Sequence, residues 1–118
     1  MLLSEIVKTI NAEVHTCGDE MDLMIDSACG ADLMSDVMAF SRGNVMLLTG
    51  LINPQVVRTA EMMDIQVIVF VRGKKPTPEM CDLAEEKEIV LLSTELSMFC
   101  ACGVLHRAGI VGRGMSSE

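Results

Sequence analysis

Three short, almost unbroken apolar runs set the terms for this chain: VMLLT at 45–49, QVIVFV at 66–71 and IVLLS at 89–93. They are rich in β-branched and leucine side chains and lack the alternation of a strand with one wet face. Each therefore reads as a central strand covered on both sides. A turn and an amphipathic stretch follow each run. After the first, Asn53 is placed to cap a helix and Pro54 takes its first position, where no N–H is required. Val56, Val57, Ala60 and Met63 then share a face. Thr77 and Pro78 repeat that start after the second run, with Met80, Leu83 and Ala84 on the buried side. After the third, Thr94 is placed to cap a last helix in which Leu96, Phe99, Cys100, Gly103 and Val104 form a stripe at helical spacing, ended by Gly109. The order β-α-β-α-β-α implies parallel strands joined by right-handed crossovers. The expected fold is α/β, a three-layer αβα single domain with a mainly parallel sheet.

The first third is less sharply punctuated. SEIVKTIN forms a short helix capped by Ser4, with Ile6, Val7 and Ile10 on one side; residues 12–17 and 22–30 read as extended segments bounded by glycines. In ADLMSDVMAF, residues 31–40, Leu33, Met34, Val37 and Met38 follow helical spacing, and Asp32 is placed to cap them. The tail GRGMSSE reads as frayed, so the core is expected over residues 12–107 and a flexible tail over 110–118.

Composition removes several functions. With 118 residues the chain is about one domain. It has no Trp or Tyr and only 3 Phe, so aliphatic residues and its 11 Met must fill the core. Stacking platforms for bases are missing, and a formal net charge of -8 opposes phosphate-backbone binding, so no nucleic-acid partner is expected. The N-terminal MLLSEIVKTIN lacks the pattern of a signal peptide, and no apolar run approaches the ~20 residues of a membrane span. A cytoplasmic location is the expectation. Five cysteines without a C-x-x-C read as free thiols in a reducing compartment.

The topology also says where a ligand would sit. In open α/β sheets, ligands collect beyond the carboxyl ends of the strands, where helix N-termini present free N–H groups. Three such ends arise here: Thr49 to Asn53, Arg72 to Thr77, and Ser93 with Thr94. Arg72, Lys74 and Lys75 fall together in the second, and Arg58 lies one turn into the preceding helix. A cationic loop on an acidic chain suggests a phosphate-bearing ligand; the competing reading makes Lys74 and Lys75 ordinary solvated turn residues. Neither a P-loop nor a Rossmann fingerprint is present. Asp32, Ser35 and Asp36 share a helix side, but acidic residues there serve the helix dipole more often than Mg²⁺. Cys100, Cys102 and His106 cannot converge on a metal from one regular helix. His15 and Cys17 would share a strand side without an identifiable activating partner. No cofactor and no metal are expected.

The stretches DLMSDVMAF (32–40), LLTGLINPQVVRTAEMMDIQVIVFVRGKKPTPEM (47–80) and LLSTELSMF (91–99) resemble the DRTGG domain in a small stand-alone form. The resemblance rests on the order T-G-x-x-N-P-Q, V-R-G-x-x-P and S-T-x-x-S-M-F and spans roughly residues 12–107. It implies an α/β domain related to the N-terminal domain of HPr kinase/phosphorylase, with a regulatory, non-catalytic role. Such domains accompany CBS domains in regulated inorganic pyrophosphatases, where they take part in dimerisation and adenine-nucleotide response, and precede phosphotransacetylase-type enzymes. The resemblance points to Thr49, Gly50, Asn53, Arg58, Arg72, Gly73 and Ser93; the string D-R-T-G-G itself is absent. The resulting expectation is a regulatory homodimer that binds an adenine nucleotide or other phosphate-bearing ligand, with Lys74 and Thr94 completing the site. The alternative is an interaction module that docks a partner enzyme or a second copy and binds no small molecule.

Overall fold

A computed structural model describes residues 1–40 and 45–112, with the side chains of residues 39 and 40 excepted. Its elements run α1 (Leu3–Thr9), β1 (Glu13–Val14), β2 (Ser27–Gly30), α2 (Met34–Phe40), β3 (Val45–Thr49), α3 (Pro54–Met62), β4 (Val67–Phe70), α4 (Pro78–Glu86), β5 (Val90–Ser93), α5 (Met98–Arg107) and β6 (Val111–Gly112). The strands form one sheet in the order β1-β5-β4-β3-β2-β6, parallel throughout except for β1, which runs antiparallel to β5. The three-layer arrangement expected from the apolar runs is the one observed.

Every residue of β3, β4 and β5 is buried, because alternate side chains enter two separate cores. Met46, Leu48, Val67, Val69, Val90 and Leu92 pack with Leu3, Ile6 and Ile10 of the α1 region and Ala101 and Leu105 of α5. Leu47, Ile68, Phe70 and Leu91 face the other way and meet Val37 of α2, Val56, Val57 and Ala60 of α3, and Met80 and Ala84 of α4. One face thus carries two helices and the other three.

Helix starts explain the clearest elements. The Asn53 side chain accepts from Gln55 N at 2.8 Å and the Thr77 hydroxyl from Met80 N at 3.2 Å, each followed by proline. Elsewhere the caps differ from the sequence reading. α1 begins two residues earlier than expected of a Ser4 cap: Leu2 is its N-cap, and the Glu5 carboxylate accepts from Leu2 N at 3.0 Å. α5 is capped by Ser97, whose hydroxyl accepts from Cys100 N at 3.2 Å. Thr94 instead donates to the Ile10 carbonyl at 2.7 Å and tethers the end of β5 to α1. Asp32 precedes α2 by two residues, and its carboxylate turns to the β3–α3 loop.

The expected stripe on α5 is also displaced. Ala101 and Leu105 are buried, with Met98 and Cys102 beside them, whereas Phe99 is 86% exposed and Cys100, Gly103 and Val104 lie outside. The helix is apolar on both sides, so two interleaved stripes satisfy the same spacing, and only the sheet selects between them. The C-terminal region adds order beyond the expected core: Ile110 is buried, and Val111 and Gly112 pair with Ser27 and Ala28. Residues 113–118 of the expected tail lie outside the described residues.

Candidate functional site

The chain leaves β4 for α4 on the three-helix face and leaves β5 for α5 on the two-helix face. Their connections therefore part in opposite directions, the arrangement that opens a crevice at the carboxyl edge of a parallel sheet. Arg72, Gly73, Lys74, Lys75, Ser93 and Thr94 all fall at this place.

Local chemistry shapes the loop after β4. Arg72 and Gly73 both have positive φ, 59° and 71°, and Lys74 N donates to Val71 O at 3.2 Å, which closes a tight turn of the primed type. The left-handed backbone at position 73 favours glycine, and a side chain there would also displace the exposed Glu95 carboxylate, whose Oε1 lies 2.7 Å from where a Cβ would be. The turn is pinned across the crevice: Arg72 N donates to Leu96 O at 2.7 Å and Gly73 N to Thr94 O at 2.8 Å. These two N–H groups are satisfied internally. The exposed Arg72 and Lys74 side chains have no carboxylate within 4.0 Å among the described residues, which leaves their charge available. Lys75 differs, since its Nζ lies 2.6 Å from Glu13 Oε1. That contact holds the Glu13 carboxyl below its ordinary value and the Lys75 ammonium above its own.

The β3–α3 turn is already supplied with an anion. Gly50 N donates to Asp32 Oδ1 at 2.8 Å, and the Thr49 hydroxyl donates to the same oxygen at 3.1 Å while accepting from Leu51 N. The Arg72 guanidinium reaches over this turn, its Nη2 only 3.1 Å from where a Cβ on Gly50 would be. Thr49, Gly50, Asp32 and Arg72 are therefore one assembly, with Asn53 committed to capping α3 beside it. Arg58 stands apart, lining a groove between α3 and α4 with Glu61 and Glu86.

On the other side of the crevice a small cavity of about 100 Å³ is bounded by Asn11, Glu13, Lys75, Ser93, Thr94 and Glu95. His15 Nε2 shares a 2.8 Å hydrogen bond with Ser93 Oγ, and Glu13 Oε1 approaches the same nitrogen at 4.0 Å. A nucleophile relay needs the carboxylate on the opposite ring nitrogen, so this set does not activate Ser93. Burial lowers the basicity of His15, with a smaller opposing effect from Glu13. The Cys17 thiol has a different partner from His15, donating to Glu85 Oε1 at 3.7 Å; burial first, then the neighbouring carboxylate, push it up to about 11. It stays protonated at neutral pH and is a poor nucleophile. Among the described residues, no group of three or more His, Cys, Asp or Glu is arranged to hold a metal ion, and no helix is long and apolar enough to cross a membrane.

Sequence reasoning missed the contributions of His15, Glu13 and Asp32 to this region. Their partners are Ser93, Lys75, Thr49 and Gly50, 17 to 78 positions away in the chain. The antiparallel pairing of β1 with β5 brings the first two into place, and nothing local to residues 12–17 encodes that pairing.

A mainly parallel three-layer α/β domain with its crevice between β4 and β5 is the class defined so far. The chain belongs to the DRTGG domain family, whose model matches residues 5–108. No curated protein matches it. Among solved structures it is similar to the CBS and DRTGG domains of the regulatory region of Clostridium perfringens pyrophosphatase, crystallised with the activator diadenosine tetraphosphate. The TM-score is 0.77 at 16% sequence identity, with 99% of this chain and 51% of that one covered. At that identity the likeness is one of fold, and the present chain spans about half of its neighbour's length.

Proposed function

We propose that this protein is a non-catalytic regulatory domain that binds an adenine nucleotide or another phosphate-bearing ligand at the carboxyl edge of its sheet. The observation that carries the reading is the pair of exposed cations, Arg72 and Lys74, which have no carboxylate partner among the described residues and are held on a pinned turn at the topological crevice of a chain with net charge -8. In this reading Arg72 and Lys74 meet phosphate, while Thr49, Gly50, Gly73, Ser93 and Thr94 build the floor and walls. Asn53 fixes the start of α3, and Arg58, in its separate groove, takes no part. The Asp32 carboxylate beneath Arg72 orients the turn but opposes an anion pressed deep against Gly50 N, so phosphate contacts the outer side of the guanidinium. The family membership and the nucleotide-bound neighbour are consistent with this ligand class.

Thermal unfolding against AMP, ADP, ATP and diadenosine polyphosphates, with and without Mg²⁺, tests it. A ligand at about 100 times its dissociation constant adds ~2.7 kcal/mol, which moves the midpoint of a domain near this size by roughly 10 °C. The expected result is a shift with one class of nucleotide that disappears in the Arg72→Ala/Lys74→Ala variant. A panel without any shift, or a shift indifferent to that variant, rejects the site.

A further inference from the structure

The end of β3 holds a set of donors that already has an anion in it. A carboxylate can only accept, so the Thr49 hydroxyl gives its proton to Asp32 Oδ1 at 3.1 Å while its oxygen accepts from Leu51 N at 3.1 Å. Gly50 N donates to the same carboxylate oxygen at 2.8 Å. Both donors are fixed in place. Thr49 is 0% exposed and its carbonyl accepts from Val71 N at 3.1 Å, and Gly50 is buried beside it. The Arg72 guanidinium closes a third side: its Nη2 lies 3.1 Å, and Asp32 Oδ1 3.7 Å, from the point where a Cβ on Gly50 would be. Arg72 makes no ion pair within 4.0 Å among the described residues, so it keeps its capacity for a further oxygen. A backbone N–H, a hydroxyl and a guanidinium around one point are the donors with which proteins hold a phosphate oxygen.

The occupant comes from elsewhere in the fold. Asp32 lies in the β2–α2 connection, is exposed, and sends its carboxylate across to the end of the neighbouring strand. Its removal would thus open the donors to solvent instead of leaving a sealed void.

We propose that Asp32 is a built-in plug, a specificity-determining residue whose carboxylate fills an oxyanion hole made by the Gly50 N–H, the Thr49 hydroxyl and the Arg72 guanidinium and so keeps orthophosphate out of the crevice. The inference deepens the ligand reading above and rests on it for the choice of phosphate. An orthophosphate reaching these donors meets a fixed negative charge, and both inner protons are already taken. Only the outer side of Arg72, with Lys74, is left, and a phosphate there depends on the rest of a larger ligand to hold it. Discrimination between two ligands can rest on a group that repels the wrong one, and Asp32 supplies that group against the smallest member of the phosphate class.

The test is the thermal midpoint of the intact protein against potassium orthophosphate, at constant ionic strength with chloride as the balance. Phosphate stabilises folded proteins in general by exclusion from their surfaces, so each variant is read relative to wild type. Asp32→Ala empties the hole and is expected to bind orthophosphate at least about 10-fold more tightly than wild type, since hydrogen bonds to a charged group are among the stronger ones. Asp32→Asn keeps an oxygen between Gly50 N and the Thr49 hydroxyl, and its gain is expected to be smaller. Adding Thr49→Val to Asp32→Ala should remove most of the gain. If Asp32→Ala is unfolded in chloride, the same titration reads as refolding on addition of phosphate.

Phosphate acting on Asp32→Ala no more than on wild type overturns the proposal. An equal gain in Asp32→Asn also overturns it, by tracing the effect to net charge, and a gain that survives Thr49→Val does so by placing the phosphate outside the hole. Failure here is distinct from failure of the ligand reading. A protein that ignores every nucleotide yet takes orthophosphate as Asp32→Ala loses the outer site and keeps the plug, and the converse result loses the plug alone.

Discussion

The two faces of the sheet are covered by different means. On one, α2, α3 and α4 each follow the strand beside them, and Leu47, Ile68, Phe70 and Leu91 are closed over by three consecutive crossovers. On the other, α1 arrives from the N-terminus and α5 crosses back from β5 to the far edge, where β6 pairs with β2. One long return replaces several short crossovers, so fewer helices cover the same number of strands. The crevice of the candidate ligand site and an open apolar groove beside α5 both follow from this reversal. They are separate: the crevice lies between β4 and β5, and the groove over β2 and β6.

The largest effects should fall on the closed face. Phe70 is fully buried among three helices, so Phe70→Ala is expected to cost about 3–5 kcal/mol, measured by urea unfolding. Leu105 is equally buried but borders the groove. Its surroundings can relax into that space, and Leu105→Ala should fall at the lower end of the 2–5 kcal/mol range for such truncations. Equal losses, or a greater loss at Leu105, would mean that the groove face is as rigidly packed as its opposite.

The turn assembly comes next. Asp32→Ala leaves the Gly50 N–H and the Thr49 hydroxyl without their acceptor, which is expected to cost about 1–3 kcal/mol. Cap removal should be smaller, about 1 kcal/mol each for Asn53→Ala, Thr77→Ala and Ser97→Ala by the same measurement. A loss at Asp32 no larger than at the caps would show that water replaces the carboxylate easily, and that the β3–α3 turn is open to other ligands.

These three caps also show what could be read from sequence. Asn53-Pro54 and Thr77-Pro78 were legible because cap, proline and apolar spacing agree within a few residues. Ser97 was obscured by Thr94, another plausible cap three positions earlier whose hydroxyl is instead taken by Ile10 of α1. The buried side of α5 could not be chosen, since Leu96, Phe99 and Cys100 have the same helical spacing as Met98, Ala101 and Cys102. For the site, the turns and the Arg72–Lys75 cluster were visible as local features. The roles of Asp32, Glu13 and His15 were not, because each depends on a partner brought near only by the sheet.

The smallest effect distinguishes the two sides of the crevice by pH. His15, shielded beside Ser93, has a basicity below the ordinary value of 6.5, chiefly because burial disfavours the imidazolium; the Glu13 carboxylate partly offsets this and the Lys75 ammonium adds to it. Between the lowered folded value and 6.5 the unfolded chain binds more protons, so stability must rise with pH there. The contribution is complete above 6.5 and is lost as pH falls through the folded value. His15→Gln should therefore flatten the acid side of the thermal-stability profile relative to wild type, while Arg72→Ala leaves that slope unchanged. Superimposable slopes for His15→Gln and wild type would mean that the imidazole charges without penalty, and that the Ser93 side of the crevice is as open to solvent as the Arg72 side.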